Sequence, residues 1–158
     1  MDIKVDHISK AYGEQQVLQD LSCVFPEGKT TCIRGRSGCG KTTLIRLLLR
    51  LDIPDKGKIE GISDRKISAV FQEDRLCENL SAASNIRLVC TETISDRELE
   101  EAYKAVALTE VWQKPVRELS GGMRRRVSIL RALLADSDCV IMDEPLRGLD
   151  EKNQNKNN

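Results

Sequence analysis

The sequence predicts an α/β fold with a buried parallel sheet. Short β-rich runs alternate along the chain with helical patterns, and the apolar run at 138–142 (DCVIM) has the composition of a strand covered on both faces. Scale is a further constraint: 158 residues and 17.7 kDa suffice for one domain and not for two ordinary ones.

The elements follow in chain order. Residues 2–8 and 17–25 alternate apolar and polar side chains as half-buried strands do, with a turn in AYGEQQ between them. Pro26-Glu27-Gly28 turns the chain into 30–34 (TTCIR), another β-rich run. Gly38 and Gly40 break the pattern, and 41–51 (KTTLIRLLLRL) is apolar on most faces, as a largely buried helix is. Pro54, Gly57 and Gly61 punctuate a loop and a short strand, and 67–71 (ISAVF) is a strand. A helix is predicted over 81–89. The next covers 95–107, where Ser95 and Glu98 have capping-box spacing and Leu99, Ala102, Tyr103 and Val106 recur at helical intervals. Another, over 121–135, leads into the strand at 138–142. Residues 151–158 (EKNQNKNN) have nothing to bury and read as a polar, disordered tail.

Composition removes several classes of function. Lys plus Arg and Asp plus Glu each total 25, leaving no formal net charge, whereas a nucleic-acid protein working by bulk electrostatics would be basic. No apolar run approaches the ~20 residues of a membrane span, and the acidic start MDIKVDHISK is unlike a signal peptide. The six cysteines are scattered singly, without a CxxC pair, which predicts reduced and mostly buried thiols rather than a metal site or disulfide scaffold. The single histidine, His7, falls in the first strand and reads as a surface side chain.

Residues 35–42 read Gly-Arg-Ser-Gly-Cys-Gly-Lys-Thr, fitting GxxxxGK[ST] without a gap, after a predicted strand and at the mouth of a predicted helix. Each residue type has a reason. Glycines let backbone N–H groups converge on phosphate oxygens, and the helix N-terminus adds partial positive charge. Lys41 can reach β- and γ-phosphates, and the Thr42 hydroxyl can ligate Mg²⁺. Gly35, Arg36, Ser37, Gly38, Cys39, Gly40, Lys41, Thr42 and Thr43 are therefore the candidate nucleotide contacts. At 139–144 (CVIMDE), an apolar strand delivers two acids to the carboxyl edge of the sheet, where α/β ligands bind. Asp143 is the candidate Mg²⁺ partner, and Glu144 the candidate base for an attacking water.

Residues 119–123 (LSGGM) complete a set that resembles the ATP-binding subunits of ABC transporters, whose signature at this place is LSGGQ. Tyr12 resembles the aromatic that stacks on adenine, in a chain with only one Trp, two Tyr and two Phe. Phe71-Gln72-Glu73 resembles the Q-loop, making Gln72 the expected Mg²⁺ and water contact. Leu146-Arg147-Gly148-Leu149-Asp150 resembles the D-loop. The resemblance covers 1–150 and is nearest to nitrate, sulfonate and taurine importers. It implies a P-loop NTPase core sheet, an N-terminal antiparallel β part and a small helical subdomain at about 73–118. It also implies a head-to-tail dimer with a second ATP-binding subunit, in which Ser120 and Gly122 serve the γ-phosphate bound by the partner. Separate membrane-spanning permease subunits would be required, with this chain cytoplasmic and peripheral to the inner face of the cell membrane. Met123 replaces the usual Gln and removes an amide contact. Arg124-Arg125-Arg126 reads as a solvated or acid-paired helix face, not a nucleic-acid patch. Residues 73–118 are too few for the long coiled coil of DNA-repair relatives.

In the family the D-loop is followed by a helix, a core strand and a switch histidine, none of which the sequence provides after Asp150. The expected consequence is an incomplete core sheet, since that strand lies between 30–34 and 138–142 in the superfamily. About four buried side chains at ~1.5–3 kcal/mol each make a loss of ~6–12 kcal/mol, comparable with the roughly 5–15 kcal/mol stability of a domain. The chain thus reads as a C-terminally truncated ATPase subunit. Its alternatives are a nucleotide-binding remnant without turnover, or another phosphate-loop enzyme such as a small-molecule kinase, which would have no use for Ser120.

Overall fold

The computed structural model describes residues 1–109 and 111–146. The chain forms two compact units, Met1–Arg65 and the chain from Lys66 onward.

In the first unit, β1 (Ile3–Tyr12) and β2 (Gln15–Phe25) form an antiparallel hairpin, and β3 (Lys56–Glu60) adds to the other side of β1, giving the order β2-β1-β3. Val5 faces Cys23 on one side and Ile59 on the other. Ile3, Val5 and Ile8 are buried along β1, as are Leu44, Ile45, Leu47 and Leu48 of α1 (Lys41–Leu48). The strands are longer than their alternating stretches because bulges absorb breaks in the period. His7 (φ 50°) and Asp20 (φ 49°) occupy the left-handed region at those breaks. Helix α1 stops at Leu48, short of the predicted 51. Arg50 (φ 56°) closes it in the left-handed conformation, its N–H donating to Leu47 O at 3.0 Å while Leu51 N–H donates to Arg46 O at 2.9 Å. An arginine at the position that usually takes glycine hides this stop in the sequence.

One predicted strand is absent. Residues 30–34 pair with no strand among the described residues and are exposed throughout. Their β-branched composition is a preference for a pleated, half-buried surface, and without a neighbouring strand it has nothing to act on.

In the second unit, β4 (Ile67–Val70) and β5 (Cys139–Met142) form a parallel pair in register from Ile67↔Cys139 to Val70↔Met142. Among the described residues this is the entire parallel sheet, so the expected incompleteness of the core sheet is observed. It also corrects the expectation of a fully buried strand at 138–142: β5 has one neighbour, and Val140 is 37% exposed. Between these strands lie α2 (Ala82–Arg87), α3 (Asp96–Ala105), a short 3-10 turn (Val116–Glu118) and α4 (Gly121–Leu134). Ile86, Leu99, Tyr103, Leu108, Val116 and Val127 form their core. The capping box on α3 is present, with Ser95 Oγ accepting from Glu98 N–H and Glu98 Oε2 accepting from Ser95 N–H at 2.8 Å. The cysteines are reduced, as expected, but none is fully buried: Cys32, Cys39 and Cys77 are exposed, and Cys23, Cys90 and Cys139 are half-buried. Cys32, Cys39 and Cys77 lie in exposed loops, Cys23 and Cys139 on half-covered strands, and Cys90 packs at the edge of the helical core.

Candidate functional site

The first unit carries the glycine-rich loop. Residues 35–39 run over the surface to Gly40, which caps α1 at φ 94°. A Cβ there would stand 2.7 Å from Leu18 Cδ2 and 3.1 Å from Val17 O, so only glycine lets the loop lie this close to β2. No side chain caps α1, and its first turn is the place where a helix presents N–H groups and positive potential to an anion. The Lys41 ammonium donates to Gly35 O at 2.9 Å and Arg36 O at 2.8 Å, tying the loop to the helix mouth. Thr42 is exposed, whereas Thr43 belongs to the buried face of α1.

Tyr12 ends β1 with its ring 45% exposed. Its hydroxyl donates to Asp52 Oδ2 at 2.6 Å, and the Lys10 ammonium lies 5.5 Å from the ring centroid. The Tyr12 hydrogen bond is the main reason that Asp52 titrates below the usual carboxylate range. Asp55 is lowered likewise, chiefly by the Ala11 N–H, which donates to it at 2.7 Å. The aromatic ring is thus tied to a carboxylate forty positions away in the chain, a clamp with no local sequence signal.

The second unit carries the acids. Asp143 N–H donates to Val70 O at 2.8 Å, extending the parallel ladder by one residue. Because Val70 and Met142 are in register, the Gln72 segment and the Asp143-Glu144 pair leave neighbouring strands at the same carboxyl edge. Asp143 is buried at 8% exposure, while Gln72 and Glu144 are exposed. Glu144 has φ 47°, a conformation that costs a non-glycine residue about 1–3 kcal/mol and persists only where its surroundings impose it. Ser120 caps α4 as its sequence predicts, its Oγ accepting from Met123 N–H at 3.3 Å. Ser120 is exposed and Gly122 half-exposed at this helix mouth. Met123, in place of Gln, turns instead to the helical core.

The arginine run divides: Arg124 is partly exposed and pairs with Glu78 at 3.6 Å, as an acid-paired face does, whereas Arg125 departs from that expectation. Arg125 is 3% exposed. Its guanidinium donates to Pro145 O at 3.1 Å, Asp143 O at 2.9 Å, Glu144 O at 2.6 Å and Phe71 O, with Asp74 Oδ1 at 3.5 Å. Burying this charge requires matched acceptors, and main-chain carbonyls supply most of them. Carbonyls leave no mark in a sequence, which is why the residue escapes sequence reasoning. His7 is a surface side chain, as expected, with Nδ1 at 2.6 Å from Asp20 Oδ1; that contact raises its pKa above the ordinary 6.5. Arg147 to Asp150 of the D-loop match, and the tail 151–158, lie outside the described residues.

Each unit carries hard oxygen donors of the kind Mg²⁺ takes: the Thr42 hydroxyl in the first, the Gln72 amide and the Asp143 carboxylate in the second. That chemistry fits a magnesium ion sharing its shell with water and phosphate. No helix among the described residues is long and apolar enough to cross a membrane.

Comparison with known proteins agrees with these motifs. The ABC transporter family profile matches residues 18–147. A sulfate/thiosulfate import ATP-binding protein of Synechococcus elongatus is 34% identical over 95% of this chain and 48% of its own length. An aliphatic sulfonates import ATP-binding protein of Rhizobium johnstonii is 36% identical over 94% of this chain and 58% of its own. A spermidine/putrescine import ATP-binding protein of Fusobacterium nucleatum is 34% identical over 96% and 44%. The chain spans about half the length of the first of these relatives. With the glycine loop, the strand-end acids and the LSGGM helix mouth all inside or beside the matched region, the chain belongs to the ABC transporter family.

Proposed function

We propose that this chain is the ATP-binding part of an ABC import system, binding and hydrolysing MgATP to drive transport through separate permease subunits. The observation that supports it most is the loop at Gly35–Lys41, where a left-handed Gly40 opens α1 and Lys41 closes over the loop carbonyls. In this reading residues 1–150 are the nucleotide-binding domain, with a helical subdomain at about 73–118 and a polar tail at 151–158. The Tyr12 ring stacks on adenine. Backbone N–H groups from Gly35 to Thr43 hold the phosphates, and the Lys41 ammonium leaves its carbonyl partners for phosphate oxygens, a stronger, charge-assisted bond. Ser120 and Gly122 serve the γ-phosphate on a second ATP-binding subunit in a head-to-tail dimer. The chain works in the cytoplasm at the inner face of the membrane.

Thr42, Gln72 and Asp143 are the residues that would hold magnesium, which would supply neutralisation of phosphate charge when bound. Glu144 accepts a proton from water that Gln72 orients; the water oxygen bonds to the γ-phosphorus, the bond to the β–γ bridging oxygen breaks, and ADP and phosphate leave. A general base of this kind contributes about 10²–10⁴-fold. Glu144→Gln is therefore expected to bind MgATP as wild type does and to turn it over about 100-fold more slowly or worse. A binding protein without turnover is the second reading, favoured by the parallel sheet of two strands and the 30–34 segment that pairs with no strand among the described residues. Equal, near-zero rates in both proteins with binding intact would establish it and overturn hydrolysis.

A further inference from the structure

Arg125 is a buried cation whose partners are not an ordinary ion pair. Its guanidinium donates to the carbonyls of three consecutive residues, Asp143, Glu144 and Pro145, and also to Phe71 O, the carbonyl just before Gln72. The same helix face continues the grip. Ser128 Oγ lies 3.4 Å from Asp74 Oδ1, and Arg131 donates to Arg75 O at 2.7 Å and Asp74 O at 3.1 Å. Glu144 sits at φ 47°, so its left-handed backbone needs an external hold; the 2.6 Å bond from Arg125 to Glu144 O is placed to supply it.

We infer that Arg125 is a positioning residue that fixes the Glu144 backbone and the Gln72 segment in one register and links both to the helix opened by Ser120. The planar guanidinium suits this task. Its fixed fork can serve several carbonyls at once, whereas a lysine ammonium on a flexible stem cannot span them. The catalytic part of the inference rests on the reading of Glu144 and Gln72 under Proposed function; the positional part does not.

The test compares the wild-type chain with Arg125→Lys and Arg125→Ala. Hydrogen exchange is followed without nucleotide over residues 71–75 and 142–146, with α3 as internal reference, and MgATP turnover is measured alongside. In Arg125→Lys, exchange is expected to rise about tenfold in both segments together while α3 is unchanged. The kcat is expected to fall roughly 10–100-fold, with KM for MgATP within about twofold of wild type. Wild-type exchange in either segment, a rise spread equally over α3, or an unaltered kcat in an active protein would overturn the inference. If Arg125→Ala does not fold, the Lys variant decides alone, since it keeps the buried charge. A wild-type chain that neither binds nor hydrolyses MgATP would sink the proposed function, while the exchange data would still decide whether Arg125 holds the two segments.

Discussion

The glycine loop of the first unit and the acid-bearing turn of the second are held in opposite ways. In Met1–Arg65 the glycine loop is a surface segment whose ties are local: Lys41 reaches back five and six positions to the carbonyls of Arg36 and Gly35. In the unit from Lys66 onward, the acid-bearing turn is gripped from a distant helix by a buried guanidinium. The difference follows from chemistry. A phosphate cradle works through backbone N–H groups that must remain accessible to a ligand, so the chain can stabilise it only from within. A carboxylate that must meet water at one angle gains from rigid external support. Local devices show up as motifs, and remote ones as tertiary contacts.

The contrast can be tested from both sides. The largest effect is expected in the second unit, where Leu99→Ala removes a fully buried side chain from the helical core. A loss of about 2–5 kcal/mol is expected in urea unfolding; a loss below about 1 kcal/mol would mean that this core does not sustain the acid-bearing unit. Lys41→Ala comes next. Titration should show MgATP affinity reduced roughly 10–100-fold, equivalent to about 1.5–3 kcal/mol, with stability within about 0.5 kcal/mol of wild type. A large drop in stability would show that the Lys41 ties are architectural and erase the distinction. Gly40→Ala tests the loop without touching a charge. Left-handed strain at φ 94° plus the contact with Leu18 should cost about 1–3 kcal/mol by thermal melt, and weaken nucleotide binding in parallel.

The smallest effect concerns pH. Asp20 raises the pKa of His7 above 6.5, so this pair contributes most below that pH, and its contribution fades as pH rises through the raised value. Melts of His7→Gln and wild type should therefore differ in mildly acidic buffer and converge in alkaline buffer. Curves that stay parallel across the range would show that the pair carries no proton-linked stability.

Much of the site was legible because its chemistry requires particular residues at particular spacings. Gly40 must be glycine where the loop meets β2, Ser120 must cap α4, and Asp143 and Glu144 must follow an apolar strand; none of these depends on a remote partner for recognition. The misreadings share a different cause. The strand at 30–34 had suitable composition but no neighbour to pair with among the described residues, and β5 was less buried than its sequence suggested for the same reason. Arg50 closed α1 without the glycine that marks such stops.

By itself, then, the sequence marked the candidate side chains for phosphate, metal and water, because those identities are written in one-dimensional spacing. Only the tertiary structure decided how they are held. Tyr12 is fixed by Asp52, and the Glu144 turn by Arg125, through bonds between residues far apart in the chain. Many of those acceptors are main-chain carbonyls, which every residue possesses and which therefore distinguish no position until the fold aims them at a common point.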